Sequence, residues 1–293
     1  MSRNKDRLGG TQNISAGATP PPVTQNENTN DGAAPFSFVV PTTFVELPSK
    51  GRYYPENHPL CNQETVEIRH MTAKEEDILT SRALLKKGIA LDRVIQNLLV
   101  NKGINADYLL SGDRNAIVIA ARIAAYGPDY ETKVTCPACN ASQEYSFNLV
   151  DAEAHEGEVS DALEVTDNGD GTFEVQLPVT EVYATFRLLT GLDERKILNA
   201  ATDRKKKTAN KGLENNVTMQ LSNILVAVNG DNSPAAKKYL IENIPSMDSR
   251  HLRFAHRMVT PNVELAETFT CSECDFTQEM EVPLTADFFW PKR

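Results

Sequence analysis

No stretch of this chain is apolar for long enough to cross a bilayer. The longest uninterrupted run, Ala116 to Ala121, falls far short of the ~20 residues a spanning helix needs. The N-terminal residues Met1 to Arg7 are charged and no apolar segment follows them, so no secretory leader is expected. Positive charge is also scarce: 30 Lys and Arg face 40 Asp and Glu, for a net charge of −10. A general nucleic-acid binder presents a basic face; this balance suits solubility and a protein partner instead. The one basic cluster, Arg204-Lys205-Lys206-Lys207 with Lys211, reads as a solvated helix end or loop. The five histidines, His58, His70, His155, His251 and His256, form no His-x-x-x-His pair. No glycine-rich phosphate cradle or Gly-x-Ser-x-Gly elbow accompanies them. The expectation is therefore a non-enzyme without a small-molecule substrate.

Cysteine is sparse too, but four of the five are arranged with a purpose. Val134-Thr135-Cys136-Pro137-Ala138-Cys139 and Phe269-Thr270-Cys271-Ser272-Glu273-Cys274 each run a strand-like approach into a Cys-x-x-Cys turn. At a constant offset of 135 positions, Gln143-Glu144 meets Gln278-Glu279, and Tyr145, Phe147 and Leu149 meet Met280, Val282 and Leu284. Each copy reads as strand, thiol-bearing turn and strand. Two copies supply four thiolates, the ligand set of structural zinc, and leave none of the open positions that catalytic zinc keeps. Redox dithiols are the alternative, but neither pair sits in a strand-to-helix context. Predicted metal ligands are thus Cys136, Cys139, Cys271 and Cys274, with zinc as the cofactor. Cysteine use of this kind fits a reducing cytosol; Cys61 is expected to be a small, partly buried residue.

Four segments follow from composition. Residues 1–35 are rich in Gly, Thr, Asn and Pro and read as a disordered arm. Residues 36–150 should hold proline-interrupted strands, a strand over Thr65 to Met71, three helices and the first hairpin. The helices are expected from the capping box Thr72-Ala73-Lys74-Glu75 to about Lys87, from Asp92 to Asn101, and from near Asp113 to Tyr126. Residues 151–262 read as an inserted α+β subdomain. It should contain a hairpin about Asp167-Asn168-Gly169-Asp170-Gly171, a strand over Val182 to Leu189, and helices over Asp193 to Asp203, Val217 to Val228, from Ser233-Pro234, and over Asp248 to Met258. The acidic turn lacks the ligand spacing of a calcium loop. Residues 263–293 carry the second hairpin and end in Phe288-Phe289-Trp290-Pro291, which either plugs the core or anchors a partner through Phe288, Phe289 and Trp290. The fold class expected is α+β: a helical core packed with a split, zinc-ribbon-like pair of hairpins.

The ordered set Leu47-Pro48-Ser49-Lys50-Gly51, Tyr54-Pro55, Met71-Thr72 with Glu75-Glu76, Ser111-Gly112-Asp113-Arg114, Arg122, Tyr126-Gly127, Tyr130, the two cysteine turns and Phe288-Phe289-Trp290-Pro291 resembles the T-even-type bacteriophage baseplate protein family over about residues 40 to 291. The resemblance implies a structural or assembly role at the hub of a contractile tail baseplate. It also implies other tail proteins as partners, with the host cytoplasm during assembly and the virion tail as locations. A zinc-ribbon nucleic-acid-binding regulator is the reading from another class. It would need basic and aromatic knuckle strands, whereas these carry Glu131, Glu144, Glu264, Glu267, Glu273, Asp275, Glu279 and Glu281 against the single cation Lys133.

Overall fold

A computed structural model describes residues 39–159, 163–207, 216–282 and 286–289; the expected N-terminal arm lies outside them. Strands β1 (Thr42–Glu46) and β2 (Thr65–Arg69) pair antiparallel with Val45 opposite Val66. Their alternation buries Val45, Val66 and Ile68. Helix α1 (Ala73–Thr80) starts at the capping box, where Glu75 accepts from the amide and hydroxyl of Thr72. The single helix expected here is broken: Ser81 is extended (ψ 103°) and a short α2 (Arg82–Lys86) follows. Thr80 directs its hydroxyl back to the Glu76 and Asp77 carbonyls, the side-chain competition that weakens a helix end. Helix α3 (Ala90–Leu98) stops before Asn101 because the sheet captures the chain: Leu99 bridges Ile68 and the Val100 amide donates to Glu67.

The long helix α4 (Ser111–Tyr126) ends at Gly127, whose φ of 84° suits glycine. It leads into the first hairpin, β3 (Asp129–Thr135) and β4 (Ser142–Asn148). A short β5 (Glu153–His155), which periodicity did not announce, is joined later in the chain by β10 (Asn262–Glu264). Strands β6 (Val165–Asp167), β7 (Thr172–Gln176), β8 (Tyr183–Arg187) and β9 (Leu225–Val228) form an antiparallel sheet in that order. The β6–β7 turn is built by Asp167 and Asp170 accepting from the amides of Gly169 and Thr172, as turn chemistry predicts. Helix α5 (Gly191–Lys207) carries the backbone of the basic cluster as far as Lys207; Lys211 lies outside the described residues.

The helix expected over Val217 to Val228 is corrected to α6 (Asn216–Ile224) plus β9. The run Leu225-Val226-Ala227-Val228 is apolar throughout, so its period cannot separate helix from buried strand, and pairing with β8 decides it. Helices α7 (Pro234–Asn243) and α8 (Ser246–Val259) follow, then the second hairpin, β11 (Ala266–Thr270) and β12 (Thr277–Glu281), and a 3-10 turn over Ala286–Phe289. The fold is α+β. Buried side chains on both sides of residues 151 and 263, such as Ile117, Phe147, Phe173, Leu252 and Phe269, belong to one continuous core.

The start of α4 is locked to two distant segments. Asp113 accepts from the Ser49 amide (3.0 Å) and hydroxyl (2.7 Å) and from the Tyr54 hydroxyl (2.7 Å), while the Tyr54 oxygen accepts from the Leu110 amide. Burial raises the pKa of Asp113 against these bonds. Gly112 lies so close to the turn before β10 that a Cβ would stand 2.0 Å from the Pro261 carbonyl oxygen. A Gly112→Ala variant is therefore expected to lose about 2–4 kcal/mol of stability by forcing α4 off Pro261. Urea denaturation checks this, and a loss under about 0.5 kcal/mol would contradict the close packing.

Candidate metal centre

Each cysteine turn is shaped by its own backbone before any metal is considered. In the first, the Asn140 amide donates to the Cys136 carbonyl and the Cys136 amide to Ala141; in the second, Asp275 and Cys271 and then Cys271 and Phe276 repeat both bonds at the same offset. Asn140 (φ 59°) and Asp275 (φ 53°) both take the left-handed conformation that Asn and Asp tolerate best among residues with a side chain. Against burial, the backbone amides of Cys139 and Ala138 help lower the pKa of Cys136 to about 7, and those of Ala141 and Phe276 act in the same direction on Cys139 and Cys274. Amides aimed at sulfur stabilise thiolates, the form that binds metal.

The two turns meet face to face. Cys136 Sγ lies 3.8 Å from Cys274 Sγ and Cys139 Sγ 3.7 Å from Cys271 Sγ, and all four sulfurs fall within 4.8 Å of one another. A tetrahedron of sulfurs about zinc at ~2.3 Å has edges of about 3.8 Å, so the donor set fits that ion in kind, number and spacing. Cys136 and Cys271 are buried while Cys139 and Cys274 are exposed, which puts the cluster at the rim of the core. Without a cation the neighbouring thiols act unequally, helping to lower Cys136 while raising Cys139 and Cys274. Despite the Phe276 amide, the neighbouring sulfurs of Cys139, Cys271 and Cys136 push Cys274 up to about 12.

Side chains outside the turns hold the hairpins in register. Gln143 donates to the Thr270 carbonyl and accepts from the Ser272 amide and hydroxyl, and the Tyr145 hydroxyl donates to Thr268. Tyr145 meets the buried Phe269 edge-on at 5.6 Å. The repeat of Gln143 in Gln278 was a visible signal of shared structure, though not of this bridging role.

Behind the first hairpin, Phe288 and Phe289 are fully buried in a T-shaped pair, with Phe288 5.0 Å from Tyr130. Of the two roles open to the terminal aromatics, these rings occupy the core and offer no surface to a partner; Trp290 lies outside the described residues. Arg122, only 1% exposed, donates to the carbonyls of Phe288, Gly127 and Asp129 (3.0, 2.9 and 3.1 Å). This tie between α4, β3 and the C-terminus was not foreseen from sequence.

Two further carboxylates hold other junctions. Burial opposes ionisation of Glu75, yet the Arg69 guanidinium and the Thr72 amide and hydroxyl hold it down at about 2. Burial likewise opposes Asp193, which Arg187 and Thr190 hold at about 2. A depressed carboxyl pKa stabilises the fold above its unfolded value and loses that contribution as pH falls toward the folded one. Stability should therefore fall between about pH 4.5 and 2. Glu75→Gln should lose on the order of 1–2 kcal/mol at pH 7 and flatten that acid limb. Urea midpoints across pH check it; an unchanged acid limb would contradict the role given to Glu75.

Fold and cluster together define an α+β protein with a four-thiol site whose halves come from a duplicated hairpin. The chain belongs to the family described as T4 bacteriophage base plate protein, whose model matches residues 40–290. No curated protein and no solved structure matches it.

Proposed function

We propose that this chain is a non-enzymatic structural or assembly protein of a contractile phage tail baseplate, associated with its hub and stabilised by one structural zinc on Cys136, Cys139, Cys271 and Cys274. The observation that carries the reading is the family match over residues 40–290. The cysteine geometry supports the metal: zinc bound by four thiolates has no free position for substrate, and what it supplies is a cross-link between β3–β4 and β11–β12. The partners proposed are other tail proteins, met in the host cytoplasm and, if the chain stays in place, in the virion.

The test is to tag the chain in its own genome, purify it late in expression from nuclease-treated lysate, and identify what accompanies it. Hub or baseplate proteins should dominate, and mass spectrometry of purified tails then separates a resident component from an assembly factor. Recovery with polymerase or nucleic acid alone would contradict the assembly reading and favour a zinc-ribbon regulator. The exposed acids Glu131, Glu273, Asp275 and Glu279 on and beside the hairpins weigh against that outcome.

A further inference from the structure

Helix α8 buries Leu252, Ala255, His256 and Val259 on one side and turns a different chemistry outward. Met247, Arg250, Phe254 and Arg257 recur at steps of three and four, which aligns them in one stripe, and all four are exposed. Met247 is 63% and Phe254 43% exposed, a large apolar area for a surface helix. The Arg257 guanidinium stands 5.7 Å from the Phe254 ring centroid, so a cation and an aromatic face are already assembled. Arg253, beside the stripe, directs Nε to the Ser249 carbonyl.

In a chain with ten more acidic than basic residues, surface arginines would be expected to find carboxylates. Among the described residues none of Arg250, Arg253 and Arg257 has an ion pair. The one acid of α8, Asp248, is committed to the Val179 and Thr180 amides and the Thr180 hydroxyl. The helix dipole accounts for a cation in the last turn, as at Arg257, but not for Arg250 and Arg253 in mid-helix.

We propose that the outer face of α8 docks an acidic segment of another protein, with Met247 and Phe254 as apolar anchors and Arg250, Arg253 and Arg257 as charge partners. The inference goes beyond the assembly reading and stands without it. A nucleic acid would draw a continuous row of phosphates past a chain of net charge −10. An acidic peptide places carboxylates only where the arginines are.

A photo-crosslinking residue tests this in the full chain during phage production. Phe254→p-benzoylphenylalanine should yield an adduct whose attached segment is a peptide of net negative charge. The yield should fall at least about tenfold when Arg250→Glu and Arg257→Glu are added. Circular dichroism confirms that the variants fold, and Arg250→Gln with Arg257→Gln replaces the pair if they do not. An adduct on nucleic acid, on lipid or on a neutral or basic peptide would overturn the proposal. So would a yield no higher than that from Val150→p-benzoylphenylalanine, at another exposed site. Whether the captured chain is a tail protein tests the assembly reading separately.

Discussion

Cys271→Ser is expected to abolish zinc binding and to unfold the junction between the two hairpins. The loop of about 130 residues between Cys139 and Cys271 costs about 4–5 kcal/mol to close, and apparent structural zinc affinities of about 10–16 kcal/mol exceed that. Without the metal, the hairpins keep the Gln143 and Tyr145 bonds and the Phe269 contact but must hold four thiols within 4.8 Å of one another with no ion between them. Typical domain stabilities of about 5–15 kcal/mol leave little margin for that loss. Metal content should drop from about one zinc per chain to near none, and thermal unfolding should become broad or begin tens of degrees lower. Chelation of the unaltered protein should reproduce the effect. A Cys271→Ser protein that melts like the parent would refute a stabilising metal.

Replacing Arg122 with methionine is the second large effect. The guanidinium faces three backbone carbonyls, and burial lowers its pKa. Two of those carbonyls, Gly127 and Asp129, follow the C-terminal end of α4, where the helix dipole favours a cation. Methionine fills much of the volume but donates nothing, so the carbonyls of Gly127, Asp129 and Phe288 lose their donor. A loss of about 3–5 kcal/mol is expected, with Arg122→Lys intermediate because an ammonium cannot span all three positions. Denaturant titration of the three proteins gives the order directly. Methionine equal to arginine would mean that the carbonyls are satisfied by water.

The cysteine pairs, their register and the constant offset were legible because the duplicated hairpin states its structure twice. The left-handed Asn140 and Asp275 are then what the shared turn requires. The capping box at Thr72 and the Asp167 to Gly171 turn were legible because their chemistry is local. What escaped depends on distant partners. The pairing of β5 with β10 joins residues more than 100 positions apart in short polar strands, and β9 is a strand because β8 offers an edge.

The residues carrying the family resemblance show the same limit. Ser49, Tyr54, Gly112, Asp113 and Arg122 stood out as an ordered pattern in the sequence, yet nothing in their spacing said that the first four lock the start of α4 and the last its end. The exposed stripe of α8 was hidden for another reason. An amphipathic pattern reports which side of a helix is buried, and not whether the charges on the other side are matched.

X-ray absorption at the zinc edge, on protein purified without added metal, reads the ligands of the four-cysteine site. About one zinc per chain is expected, with four sulfur ligands at about 2.3 Å and no nitrogen or oxygen neighbour. A folded, metal-free protein, or a zinc with an oxygen or nitrogen ligand, would contradict the four-thiolate site.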